Sequence, residues 1–146
     1  MSRDWPASLA VPPEELDRQI RRALQRGYIP VTFAEALAGT SDRKLVAVTF
    51  DDSYLSVYES AFPVLRELDV PATVFVPSRQ VDPDRPMAWP GIDGWLDGEW
   101  RSELTGTSWE QLGELTEAGS DSAVCSGAGS GVVLPPAALI VAFMNS

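Results

Sequence analysis

Two short apolar runs, Lys44-Leu45-Val46-Ala47-Val48-Thr49-Phe50 and Ala72-Thr73-Val74-Phe75-Val76, are rich in β-branched and aromatic residues and read as buried strands. Between them Tyr58, Phe62, Leu65 and Leu68 fall on one helical stripe, and Asp69-Val70-Pro71 breaks it. A strand, a helix and a second strand in this order form a βαβ unit, whose crossover is right-handed and whose strands are parallel. That unit commits the chain to an α/β sheet or barrel. Pro63 is expected in the first turn of the helix, since deeper inside it costs about 3 kcal/mol, so the helix should start near Glu59 or Ser60.

Other helix signals flank this unit. Val11-Pro12-Pro13-Glu14-Glu15 places proline and acids where a helix start favours them, Leu16, Ile20, Ala23 and Leu24 repeat at helical spacing, and Gly27 ends the run. Arg18, Arg21, Arg22 and Arg26 cover the other side as a solvated face. Thr32 with Glu35 and Ser108 with Gln111 are capping-box pairs, opening helices that close at Gly39 and Gly119.

The first strand runs directly into Asp51-Asp52-Ser53-Tyr54. Adjacent, partly desolvated carboxylates push their pKa values apart, so one can accept a proton while a cation holds the other ionised. In extended backbone the two side chains point to opposite sides and would do different work. An acidic turn that merely caps the strand has the same composition, and the spacing by itself leaves both readings open. The chain contains no histidine, which restricts any mechanism to carboxylates and hydroxyls.

Residues 77–107 hold four prolines, four glycines and three of the five tryptophans, Trp89, Trp95 and Trp100. A loop of this length is uncommon unless it is functional or disordered. Its rings either stack on sugar faces or pack the loop onto the domain. The net charge of −10 repels a nucleic-acid backbone and an anionic membrane surface, so no nucleic acid is expected as a partner. Met1 to Pro6 is not followed by an apolar stretch of signal-peptide type, and Cys125 is alone, so a cytoplasmic location is expected.

After Gly119 the character changes. Of 32 charged residues only Asp121 falls in the last 27 positions. The apolar segment from Val132 is too short to span a bilayer and contains Pro135-Pro136, so no membrane span is expected. Residues 120–146 read as an unrelated low-charge tail, a flexible linker with an apolar end and no regular structure, separate from a domain over residues 1–119.

Val48-Thr49-Phe50-Asp51-Asp52-Ser53-Tyr54, Phe62-Pro63-Val64-Leu65, Val70-Pro71-Ala72-Thr73-Val74-Phe75-Val76 and the segment from Trp109-Glu110-Gln111-Leu112 to Leu115-Thr116-Glu117-Ala118-Gly119 stand in an order that resembles the polysaccharide deacetylases, the NodB-homology carbohydrate esterases. The resemblance covers about residues 12 to 119. It implies a distorted (β/α) barrel, here partial and truncated after its first β/α units, that hydrolyses the N-acetyl amide of an amino-sugar polymer with a divalent metal, zinc or similar. By the same resemblance Asp51 is the general base and Asp52 a metal ligand, the only one remaining, while Trp89, Trp95 and Trp100 are candidate substrate-binding residues.

Two departures matter. Ser53 stands where the family has glycine, and Ser120-Asp121-Ser122-Ala123-Val124-Cys125 stands where the family carries a histidine-containing metal motif. With at least three protein ligands needed for zinc, stable metal binding and activity are not expected of this chain. Loss of reading frame or truncation after Gly119 would account for the change. The alternatives are a non-catalytic carbohydrate-binding remnant using the loop tryptophans and a Mg²⁺-dependent phosphoryl-transfer domain, the latter without a glycine-rich phosphate loop. A barrel cut short exposes a parallel edge, so aggregation or self-association is expected.

Overall fold

Strand β2, Leu45–Phe50, is buried at every one of its positions and organises the sheet around it. The computed structural model describes residues 11–38, 43–78, 81–88, 93–118, 121–125 and 138–143. Strands β1 (Ile29–Val31), β3 (Ala72–Pro77), β4 (Asp121–Cys125) and β5 (Ala138–Phe143) join β2 in one five-stranded sheet. Its main path runs β1-β2-β3-β4, β5 pairs with β2, and all of these pairs are parallel. The expected βαβ unit is therefore present, with β2 and β3 as neighbours.

The helices carry the caps that their sequences encode. Helix α1, Pro13–Gln25, has its proline at the start and Glu14 and Glu15 in its first turn. Gly27 follows at φ +79°, a left-handed turn residue. Helix α2, Phe33–Ala38, is opened by Thr32, whose N–H and hydroxyl both donate to Glu35. Ser108 and Gln111 exchange their two bonds at the head of the helix Trp109–Glu117.

The crossover helix departs from expectation at its start. Helical backbone begins at Leu55, several residues before the expected Glu59 or Ser60, and Val57–Ala61 is a π-helical turn that leads into α3, Phe62–Glu67. Phe62 N–H reaches back to Val57 O, so the wide turn ends immediately before Pro63. A proline has no N–H to give to the carbonyl four residues back, and the wider turn accommodates that missing bond without breaking the helix. Asp69 closes α3 at φ 53°, the one positive φ among the described non-glycine residues.

Helices α1 and α3 and the helix Trp109–Glu117 pack on one face of the sheet. Leu16, Ile20, Leu65, Leu112 and Leu115 meet Val48, Phe50, Ala72, Val74 and Val76 there. The long loop is partly ordered by two short elements, α4 (Asp93–Leu96) and a 3₁₀ turn over Arg101–Leu104, after which Trp109–Glu117 is α5. Two stretches of the low-charge segment also differ from expectation. Residues 121–125 and 138–143, read as unstructured, are the strands β4 and β5, because runs of small and branched residues with little charge fit a parallel ladder. The tripeptide Ile29–Val31 was too short to show a strand period and is β1.

Candidate functional site

Asp51 and Asp52 leave the C-terminal end of β2, the end at which open parallel sheets present ligand sites. Asp51 is exposed and Asp52 is half-buried. Burial raises the Asp51 carboxyl above the usual carboxylate range. It raises Asp52 further, to about 6, with the neighbouring Asp51 charge adding to the effect. The pair is thus split, with Asp51 the more readily ionised. Ser53 and Tyr54 turn inward behind it, 0% and 1% exposed, and burial together with the Asp52 charge pushes the Tyr54 phenol upward.

A clamp from the long loop holds this turn. The Thr107 N–H and hydroxyl both donate to Ser53 O, at 2.8 and 3.0 Å, and Leu55 N–H donates to Thr105 O at 2.8 Å. Tyr54 and Gly106 form an antiparallel bridge, and Pro86 does the same with Thr105. The side chain of Tyr54 packs with Met87 and Leu104 in a second small core. None of these supporting residues carries a sequence signal of its own, since the contact joins positions about fifty apart.

Trp95 and Trp100 are half-buried and pack, with Leu96, against this same Tyr54 core. Packing therefore occupies part of both rings, and it ties them to the turn that carries the acidic pair. Trp89 lies outside the described residues. Two clefts, of about 430 and 350 Å³, flank the 3₁₀ turn and share Ser102 and Thr105 in their walls. Arg85 and Arg101 line the first, Glu59 and Glu103 the second, and neither cleft is walled by Asp51 or Asp52.

Ser53, where the resemblance leads one to expect glycine, does not need glycine's freedom. Its φ is not positive, but its buried hydroxyl has no hydrogen-bond partner among the described residues. The donor set is equally specific. Among the described residues no three His, Cys, Asp or Glu side chains gather into a group that could hold a metal ion. Two adjacent carboxylates in a chain without imidazole do not fit a zinc centre, which takes at least three protein donors.

The fold and the acidic pair at the C-terminal end of β2 define an α/β protein whose candidate site lies where parallel strands end. The sequence model of the polysaccharide deacetylases matches residues 38–126, a stretch that includes β2, β3, α5 and β4, and the chain belongs to that family. YxkH of Bacillus subtilis (strain 168), whose curated name places it among the polysaccharide deacetylases, is 35% identical over 79 residues, 51% of this chain and 28% of that protein. Among solved structures, IcaB from Ammonifex degensii superposes with a TM-score of 0.60 at 29% identity, covering 81% of this chain and 46% of that one. A de-N-acetylase from Aggregatibacter actinomycetemcomitans gives 0.62 at 19% identity, covering 85% and 47%, and shares the fold. The Streptococcus pyogenes deacetylase PplD, solved with acetate, gives 0.56 at 24% identity, covering 84% and 49%. The chain spans about half the length of these solved structures and 28% of YxkH, and its architecture is that of a partial, distorted (β/α) barrel of the deacetylase type.

Proposed function

We propose that this chain keeps the general-base position and one metal-ligand position of a polysaccharide deacetylase site, Asp51 and Asp52, and does not hydrolyse N-acetylated amino-sugar polymers by itself. The observation that carries this reading is the donor set: Asp51 and Asp52 at the end of β2, in a chain with no histidine. A metal bound in such a family site would polarise the amide carbonyl and the attacking water. The two carboxylates here do not fit that group, which takes at least three protein donors.

What remains is Asp51 as a proton acceptor for water at the sugar's amide. It is exposed, and its carboxyl is displaced upward by desolvation, toward the range useful for a base. General base catalysis alone supplies about 10²–10⁴-fold, whereas enzymes reach at least about 10⁶-fold over the uncatalysed reaction. The shortfall places turnover below detection. Acetate release from chitin oligomers with added Zn²⁺ or Co²⁺ should match buffer, and metal-dependent turnover would overturn the proposal.

A second reading, carbohydrate binding without catalysis, is favoured by the attachment of Trp95 and Trp100 to the Tyr54 core beside the acidic turn. Tryptophan fluorescence titrated with chitin oligomers should change at millimolar sugar and lose that change in W95A. An unchanged signal would remove this reading. No comparable observation supports phosphoryl transfer. As to location, no helix among the described residues is long and apolar enough to cross a membrane.

A further inference from the structure

β2 is laddered on two sides in unequal ways. β1 pairs with Leu45 to Ala47 and β3 with Val48 to Phe50, so each covers half of the strand. β5 runs along all six residues, from Leu45↔Ala138 to Phe50↔Phe143. A strand has only two edges, so β1 and β3 take successive halves of one and β5 fills the other.

We propose that this second edge of β2 is an acceptor surface for an extended, uncharged segment, occupied in cis by the chain's own Ala138–Phe143. This pairing holds the site-bearing strand in one register up to the residue before Asp51. Main-chain hydrogen bonds to an exposed sheet edge are the basis of β-strand addition, and the six-residue run Ala-Leu-Ile-Val-Ala-Phe offers no charge to oppose them.

The connection makes the cis arrangement possible and also limits it. Cys125 of β4 is level with Pro77 of β3, and Ala138 is level with Leu45 of β2. With Phe50 level with Val74, the ends to be joined lie roughly eight residue levels and three strand spacings apart, or about 30 Å. The intervening residues 126–137 reach about 40 Å when extended. Parallel pairing calls for a connection of about a dozen residues, and this chain has that length. With residues 126–131 deleted the connection reaches only about 20 Å, which is too short to close in cis. The same edge can then be filled only by the segment of another copy, as in strand exchange.

Hydrogen exchange read by mass spectrometry on the full chain tests this at low micromolar concentration, with size-exclusion chromatography alongside. Peptides covering 45–50 and 138–143 should both be protected in the monomer. Exchange of 138–143 at unfolded-chain rates, or its protection only in an oligomer, would overturn the proposal. In the variant lacking 126–131, protection of 138–143 should be lost in the monomer or return only in a dimer. Its persistence in a monomer would overturn the cis, length-limited pairing. Val141→Pro, which removes the N–H that the parallel register directs at Ala47 O, should raise exchange of 45–50 at least tenfold while Val141→Ile leaves it unchanged, and equal exchange in both would count against β5 as the holder of β2.

Discussion

At the turn after β2, each residue answers to a different force. Ser53 is buried because its carbonyl is held by Thr107, and its hydroxyl is carried inside without a partner among the described residues. A buried hydroxyl that makes no hydrogen bond costs about 1–3 kcal/mol. Ser53→Ala should therefore stabilise the fold by about 1 kcal/mol, read as a higher Tm, and a lower Tm would show that the hydroxyl has a partner. Asp52 gives the opposite sort of signal, because burial and the Asp51 charge raise its folded-state pKa to about 6. The folded chain then holds a proton that the unfolded chain has released, so this contribution is intact below about pH 4 and is lost as pH rises through about 6. In a chelating buffer the wild-type Tm should fall across that window more than the Tm of Asp52→Asn, and parallel curves would refute the assignment.

Among the elements, capping and the π-helical turn solve backbone problems locally. Ser108 and Gln111 satisfy two N–H groups at the start of α5, and loss of such a cap costs about 0.5–2 kcal/mol. Ser108→Ala should lower stability by about 1 kcal/mol in denaturant titration, with the midpoint rather than the slope moving. The Tyr58 hydroxyl donates to Glu114, joining the π-helical turn to α5 at the surface. Pro63 takes the expected first-turn position of α3, while the π-helical turn Val57–Ala61 extends the helical path ahead of it to Leu55.

Across the whole molecule, the helices on one face of the sheet and the loop clamp on the turn place a split acidic pair at the end of the central strand. The consequence for metal binding is quantitative. A site holding zinc a hundredfold below the added concentration stabilises the fold by about 2.7 kcal/mol, which moves the Tm by several degrees. At 100 µM Zn²⁺ this chain should shift by less than about 1 °C, and a larger rise abolished by Asp52→Ala would reveal donors beyond the acidic pair.

The βαβ unit, the capped helices and the placement of Asp51 and Asp52 were legible in the amino-acid order because each rests on local rules: apolar period, cap chemistry and strand ends. Residue types also limit the metal chemistry, since no fold can supply an imidazole that the chain lacks. The clamp of Thr107 on Ser53, the seating of Trp95 and Trp100 on Tyr54 and the pairing of β5 along β2 were decided only in three dimensions. Each joins segments far apart in the chain through backbone hydrogen bonds or ring packing, and such partners leave no mark in the local sequence.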